Sequence, residues 1–257
     1  MAQGAGPAAV ALCLLAAACA TPPEPGMSIP VTVSRPQGAG PFPAVVMMHD
    51  CSGLGPRSSG APARWSETLV ARGYVVIRPD SFSTRGFPDG VCTDASRRRA
   101  DVGFSRRAQD AFEALGYAQR LPYVDARRVG IMGGSHGGAT TLVALGRPGF
   151  RAGVALYPRC SVAAQSYAPA APLLILAGEL DDWTPAKECE RLAGGEVTLK
   201  IYPGAHHSFD SDRPVRFVAA RVNPAAPGGR GATTGGNPAA WKDAIEQVTA
   251  FFDRHLK

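Results

Sequence analysis

VGIMGGSHGG (residues 129–138) joins an apolar, β-branched run to a glycine-rich turn and then to a helical pattern. The turn has the form G-x-S-x-G, with Ser135 at its centre. Glycines on both sides let the chain turn sharply, because side chains there would collide with the neighbouring strands. Such a turn lifts the serine hydroxyl above the sheet edge and points the positive end of the following helix at developing negative charge. The segment therefore predicts a strand–turn–helix unit with Ser135 as a nucleophile.

Strand and helix patterns alternate on both sides of this turn. Apolar runs predict strands at residues 29–33, 44–48, 74–77, 129–132, 153–156, 173–177 and 197–201. Helical patterns fall at 63–72, 100–120, 137–145, 186–192 and 239–256. Several runs are continuously apolar, which is typical of strands buried on both faces of a parallel sheet. The alternation predicts one α/β domain, with a mostly parallel open sheet and helices on both of its faces.

Length and charge narrow the classes of protein that remain. The chain has 257 residues, and Lys and Arg (27) exceed Asp and Glu (21). A basic cluster at residues 97–99, Arg106 and Arg107 is interleaved with Asp101 and Asp110. This spacing indicates a solvated helix face, so we expect no nucleic-acid partner. The Gly-, Pro- and Arg-rich segment 211–237 predicts a long surface loop.

The first twenty residues carry no charged side chain, and residues 10–20 read VALCLLAAACA. This run is too short to span a membrane, and it is typical of an export signal. We expect a signal peptide at 1–20, a linker at 21–28 and the folded domain at 29–257. Cleavage before Thr21 would release a periplasmic protein, whereas lipidation of Cys19 would tether a bacterial lipoprotein to its membrane. The alternative is an Ala-rich start without a targeting role.

Removal of the signal leaves four cysteines: Cys51, Cys92, Cys160 and Cys189. An even number in an exported chain suggests disulfides, although free thiols are the alternative. Four cysteines allow three pairings, and their spacing does not choose among them.

A serine nucleophile needs a base, and the base needs an orienting carboxylate. In chain order the acid and the histidine follow the serine in this kind of site. Asp181 and Asp182 follow one predicted strand, and His206 and His207 follow the next. Both pairs therefore fall on the sheet edge that carries Ser135. Spacing alone does not separate the members of either pair.

Five segments carry a resemblance to a known family. They are VVMMHDCSGL (45–54), YVVIRPDSFSTRG (74–86), VGIMGGSHGG (129–138), PLLILAGELDDWTP (172–185) and YPGAHHSFD (202–210). In this order they resemble the dienelactone hydrolase family of α/β-hydrolases over residues 30–257. The resemblance implies the α/β-hydrolase fold, Asp181 as the acid and His207 as the base.

The resemblance also implies an oxyanion hole made by the backbone N–H groups of Cys51 and His136. Asp50 matches an acidic residue that contacts the nucleophile, with a loop-capping role as the alternative. Arg85 lies near the position of the first of two arginines that hold the substrate carboxylate in that family, and Trp183 is a further candidate for substrate binding.

Two departures from the family stand in this sequence. Enzymes that act on dienelactone use cysteine where this chain has Ser135, and the second of their arginines is replaced by Ser211, with Arg213 close but not equivalent. These departures favour a general exported esterase over a lactone specialist. Because the resemblance places the cysteines in loops near the site, it also predicts the disulfides Cys51–Cys92 and Cys160–Cys189.

The reaction expected from these residues is cleavage of a small-molecule carboxylic ester through an acyl-enzyme on Ser135. We expect no metal and no cofactor, since no zinc-protease, Cys-x-x-Cys or phosphate-loop motif is present. An exported peptidase or amidase, or a polysaccharide deacetylase, is the alternative on the same fold. A non-catalytic binding protein is the alternative from another class, and the sequence leaves the oligomeric state open.

Overall fold

The structure, a computed structural model, describes residues 26–257 apart from the side chains at 97–99. The predicted signal peptide, Cys19 and most of the predicted linker lie outside the described residues. Within the described range, no helix combines the length and the apolar character needed to cross a bilayer.

The main sheet has seven strands in the spatial order β1-β3-β2-β4-β5-β6-β7. The strands are β1 (Val31–Ser34), β2 (Phe42–Met48), β3 (Val75–Pro79), β4 (Val124–Gly134), β5 (Gly153–Leu156), β6 (Leu173–Gly178) and β7 (Val197–Tyr202). β1 pairs antiparallel with β3, and every other neighbouring pair is parallel. The predicted mostly parallel sheet is confirmed, and each predicted strand overlaps an observed one.

Helices cover both faces of this sheet. They are α1 (Ala61–Ala71), α2 (Phe104–Arg120), α3 (His136–Leu145), α4 (Lys187–Glu190) and α5 (Pro238–Leu256). Side chains of β2 alternate between the two layers: Val45 and Met47 pack with α1 and α5, whereas Val46 and Met48 pack with α2 and α3. This alternation follows from the two-residue period of a strand. The central strands are thus buried on both sides, as their continuously apolar sequences indicate.

The expectation of a long loop at 211–237 is wrong. The segment contains β8 (Arg216–Val222) and β9 (Arg230–Thr234), which pair antiparallel as a separate hairpin. Much of β8 is exposed, and Phe217 keeps 65% of its surface accessible. A strand that buries neither face lacks the alternating apolar pattern by which sequence reveals strands.

The expectation of a solvated basic helix face is wrong at Arg107. Its side chain has 0% exposure on α2. Arg107, Ala111, Ala114 and Ala118 follow one another at intervals of three or four residues, and all four are buried. Arg107 therefore belongs to the core-facing side of the helix.

Candidate active site

Ser135 lies in the sharp turn between β4 and α3 with φ 53° and ψ −114°. Positive φ is uncommon for a residue with a side chain, so the surrounding contacts must hold this conformation. Glycine is required beside it, because a Cβ on Gly137 would lie 2.0 Å from the Met48 carbonyl oxygen. The Ser135 N–H donates to the Leu156 carbonyl at 2.9 Å, which ties the turn to β5.

The structure brings Ser135, His207 and Asp181 into one hydrogen-bonded series. His207 Nε2 lies 2.9 Å from Ser135 Oγ, and His207 Nδ1 lies 2.8 Å from Asp181 Oδ2. All three residues are buried, with exposures of 8% for Ser135, 1% for His207 and 4% for Asp181. Because a carboxylate only accepts, the histidine donates from Nδ1 and can accept the serine proton at Nε2.

The loop after β6 fixes the Asp181 carboxylate. Its Oδ1 accepts hydrogen bonds from the N–H groups of Trp183 and Thr184, both at 2.9 Å. The Thr184 hydroxyl lies 3.0 Å from Oδ2 and 3.0 Å from the Tyr157 carbonyl oxygen. Sequence reasoning missed Thr184, although it stands only three residues after the aspartate.

The neighbouring Asp182 and His206 do not reach Ser135. The Asp182 carboxylate accepts from the N–H and the hydroxyl of Thr233, each at 2.8 Å. His206 Nδ1 donates to the Leu180 carbonyl at 3.0 Å. The geometry thus separates the two pairs that spacing left unresolved.

The backbone before Cys51 is oriented by a buried histidine. His49 Nδ1 donates to the Asp50 carbonyl at 2.8 Å, and Gly53 N–H approaches the same oxygen at 3.3 Å. The Asp50–Cys51 peptide is trans, so the Cys51 N–H points away from that carbonyl. Cys51 lines the cleft that contains Ser135 and His136.

His49 holds this peptide as a neutral ring. Its Nε2 accepts from the Ser81 N–H at 3.2 Å, so both ring nitrogens are occupied. Burial lowers the pKa of His49 well below its usual value, and the charge of Arg107 lowers it further. The proton therefore stays on Nδ1, where it binds the Asp50 carbonyl.

Arg107 joins the loop after β2 to the start of α3. One guanidinium nitrogen donates to the His49 carbonyl at 2.6 Å, and another lies 2.7 Å from His136 Nδ1. Burial lowers the pKa of Arg107 to about 9, an effect opposed by the charges of Asp110 and Asp50. Because a guanidinium only donates, His136 accepts at Nδ1 and carries its own proton on Nε2. Sequence reasoning missed this connection.

Among the other candidates, Trp183 lies at the site and Arg85 does not. The Trp183 ring centroid is 4.7 Å from that of His207, and the residue lines the cleft beside Ser135. Arg85 forms a two-fold ion pair with Asp110, with both N···O distances at 2.6 Å. Its guanidinium is committed to this partner and borders a different depression.

Asp50 lies at the cleft but its carboxylate serves the loop. Oδ1 accepts from the Ser52 N–H at 2.6 Å and from the Ser52 hydroxyl, while Oδ2 accepts from the Ser59 hydroxyl. These contacts correspond to the loop-capping role, which was the alternative for Asp50.

Both predicted disulfides are present. Cys51–Cys92 joins the loops after β2 and β3, and Cys160–Cys189 joins the segment after β5 to α4; the Cα atoms of each pair are 5.0 Å apart. The first bond lies in the wall of the cleft, next to the N–H of Cys51.

Solved structures share this architecture. A protein from Klebsiella pneumoniae described as a dienelactone hydrolase superposes with a TM-score of 0.68 at 22% identity, covering 88% of this chain and 93% of that one. Esterase 2 from Thermogutta terrifontis gives a TM-score of 0.62 at 17% identity, covering 91% of this chain and 96% of that one. At these identities the likeness shows the α/β-hydrolase fold alone.

Named proteins are also similar to this chain in sequence. A protein from Methylorubrum extorquens named as a carboxymethylenebutenolidase is 28% identical over 219 residues, which are 77% of this chain and 74% of the relative. A Bradyrhizobium protein named as a probable 2-oxo-3-(5-oxofuran-2-ylidene)propanoate lactonase is 26% identical over 218 residues, 74% of this chain and 85% of the relative. The family model of the dienelactone hydrolase family matches residues 29–256. With its α/β-hydrolase sheet and these relatives, the chain belongs to the dienelactone hydrolase family and is a carboxylic ester hydrolase.

Proposed function

We propose that the protein hydrolyses small-molecule carboxylic esters by two-step acyl transfer, with Ser135 as nucleophile, His207 as base and Asp181 as orienting acid. The observation that carries this proposal is the buried series of hydrogen bonds from Asp181 through His207 to Ser135. A binding protein would have no need for a base within 2.9 Å of a serine held at a strained turn.

In the first step His207 Nε2 takes the hydroxyl proton as Ser135 Oγ attacks the ester carbonyl. The negative charge that forms on the carbonyl oxygen is bound by the N–H groups of Cys51 and His136, and each such donor is worth about 3–4 kcal/mol. Asp181 keeps the imidazole in the required tautomer and stabilises the imidazolium. The imidazolium then protonates the leaving alcohol, which leaves an acyl group on Ser135.

In the second step a water molecule attacks the acyl carbon while His207 accepts its proton. The acyl–Oγ bond then breaks, His207 returns the proton to Ser135 Oγ, and the carboxylic acid product leaves. The engagement of Arg85 with Asp110 removes one of the arginines that the resemblance assigned to substrate carboxylate. This arrangement supports a general ester substrate over dienelactone itself.

The test is Ser135→Ala, assayed with p-nitrophenyl acetate. We expect kcat/KM to fall by a factor of ~10⁴, because the nucleophile is lost while the cleft stays. Ser161→Ala, at an exposed serine, is the matched control and should keep wild-type activity. A fluorophosphonate probe should label the wild-type protein and not Ser135→Ala; hydrolysis that survives in Ser135→Ala would refute the assignment.

We also propose that the protein is exported from a bacterial cell, either released into the periplasm or tethered through Cys19. Two disulfides in the folded domain support an oxidising compartment.

A further inference from the structure

The β8–β9 hairpin forms one wall of the cleft and is hydrogen-bonded to the loop that carries Asp181. The Asp182 carboxylate accepts two hydrogen bonds from Thr233, and the Asp182 carbonyl accepts from Asn223 Nδ2 at 2.9 Å. Trp183 Nε1 donates to the Val222 carbonyl at 2.9 Å. These contacts hold the hairpin in a fixed place relative to the acid loop.

The hairpin is also hydrogen-bonded to the loop that carries His207. Gly235 N–H donates to the His207 carbonyl at 3.0 Å, and Thr234 pairs with His207 as an isolated parallel bridge. A side chain on this hairpin is therefore positioned relative to both His207 and Asp181.

A second pocket lies beside the cleft, and four arginines and four serines are among its ten lining residues. The arginines are Arg57, Arg213, Arg216 and Arg221. Five lining residues are shared with the depression around Ser135 and His207: Ser52, Ser59, Ser208, Arg221 and Thr234. The two spaces are thus adjoining parts of one site, and a substrate bound at Ser135 can extend into the arginine pocket.

Three of these arginines have no ion-pair partner among residues 26–257. No carboxylate oxygen of that range lies within 4.0 Å of Arg213, Arg216 or Arg221, whereas Arg57 approaches Asp89 at 3.5 Å. Like charges gathered in this way repel one another unless a bound anion compensates them.

Arg221 is the arginine of this pocket that also lines the depression around Ser135 and His207. Its guanidinium carbon lies 5.2 Å from the centre of the Trp183 ring, and its Nε is buried without a partner among the described residues. Burial lowers the pKa of Arg221, the charge of Asp50 opposes this, and the charges of Arg216 and Arg213 lower it further. A negative group in the pocket would offset the cost of burying the Arg221 charge and its repulsion by Arg213 and Arg216.

We propose that the arginine pocket binds a doubly charged oxyanion group, of the phosphate-monoester type, on the ester substrate. A single carboxylate would compensate only one of three unpaired guanidinium groups. A phosphate presents three acceptor oxygens and nearly two negative charges, which suits several guanidinium groups at once. This inference rests on the proposed function, and it places anion recognition on the hairpin instead of on Arg85.

The test compares three acetyl esters that share a phenyl ring and differ in the charge of the para substituent: those of 4-hydroxybenzamide, 4-hydroxybenzoate and 4-hydroxyphenyl phosphate. The wild-type protein should give its highest kcat/KM with the phosphate-bearing ester, about tenfold or more above the neutral one, with the carboxylate between them. Raised salt should reduce the preference, since it screens exposed charges.

The variant is Arg213→Gln combined with Arg216→Gln, two exposed positions whose replacement leaves the core intact. We expect the ratio of kcat/KM for the phosphate-bearing over the neutral ester to be about tenfold lower in the variant than in the wild type. Comparing this ratio between the two proteins cancels the intrinsic reactivity of each ester. Inhibition by inorganic phosphate should weaken by a similar factor. Arg127→Gln, at an arginine with 93% side-chain exposure on the opposite end of β4, is the control and should change neither result.

The experiment distinguishes failure of the proposed hydrolase function from failure of the arginine-pocket proposal. If the neutral ester is hydrolysed equally well by Ser135→Ala, the proposed function is wrong. If Ser135 is required but the carboxylate ester equals or exceeds the phosphate ester, or the double variant keeps the wild-type ratio, the arginine pocket is not a dianion site and the hydrolase assignment stands.

Discussion

Arg107 connects both proposed donors of the oxyanion hole through a single side chain. It donates to the His49 carbonyl, and the His49 ring in turn holds the carbonyl that precedes Cys51. On its other side it contacts the ring of His136, whose backbone N–H is the second proposed donor. Arg107 is not among the residues that line the cleft around Ser135, so its expected role is to position these two backbone groups.

Replacing Arg107 with Met tests this role. We expect kcat for a neutral ester to fall about 10–100-fold with little change in KM, because misplaced donors weaken binding of the transition state more than of the substrate. Burial lowers the folded-state pKa of Arg107 from its ordinary value to about 9, so confining the charge opposes folding in full below that pH. Losing the charge relieves this cost and offsets the two lost hydrogen bonds, so Tm at pH 7 should stay close to wild type.

Two further variants control this experiment. Arg107→Lys keeps a donor and a charge and should recover part of the lost kcat. Arg147→Met removes an exposed arginine that lies 3.7 Å above the Phe112 ring and should leave kcat unchanged. A folded Arg107→Met protein with wild-type kcat would rule out the positioning role.

The three residues of the hydrogen-bonded series, Ser135, His207 and Asp181, could be proposed from the sequence together with the family resemblance, whereas Arg107 was misplaced. Ser135 lies in a turn where close backbone contacts require glycine on both sides. Because this requirement is local, it can be recognised in the sequence as the G-x-S-x-G motif. The loop turns the Asp181 carboxylate toward His207 and the Asp182 carboxylate toward Thr233. The spacing of the two residues in the sequence does not encode this difference. Arg107 was assigned to solvent because it follows a run of arginines, although its helical phase with Ala111 indicates the core.

The β8–β9 hairpin is the element that sequence did not reveal. Its position depends on partners distant in the chain, notably Asp182, Cys92 and His207. Much of β8 is exposed and β9 has only five residues, so neither apolar alternation nor a tight two-residue turn marks them. Contacts of this kind arise only once the sheet has brought separate loops together.

The two disulfides should differ in their effect on catalysis. Replacing both cysteines of either pair with Ser should lower the free energy of unfolding by about 2–4 kcal/mol, since the bonds close segments with sequence separations of 41 and 29 residues. Only the Cys51→Ser/Cys92→Ser protein should also lose kcat substantially, because its bond fixes the loop that supplies an oxyanion donor. Urea unfolding and ester hydrolysis measured on both proteins check this; equal kcat losses would contradict it.

At the scale of the whole molecule, the parallel sheet explains why distant segments meet. The turn at Ser135 follows β4, the acid loop follows β6 and the base loop follows β7, so all three lie at carboxyl ends of parallel strands. Such ends share one edge of the sheet, where sites in this architecture form. The alternation of strand and helix patterns was sufficient to predict this edge, because it depends on burial and chain direction and not on any single contact.

The disulfides also bear on where the whole protein works. Bonds of this kind persist in oxidising compartments, so the full chain expressed in a Gram-negative host should be recovered outside the cytosol with no free thiol in its folded domain. Mass spectrometry should show either a polypeptide that begins at Thr21 or one that begins at an acylated Cys19, and Cys19→Ala should move an acylated form from the membrane to the soluble fraction. Residues 26–257 made in a reducing cytosol should unfold at a lower temperature until they are oxidised, because each bond contributes about 2–4 kcal/mol. A full-length protein that stays in the cytosol with free thiols at Cys51, Cys92, Cys160 and Cys189 would contradict export.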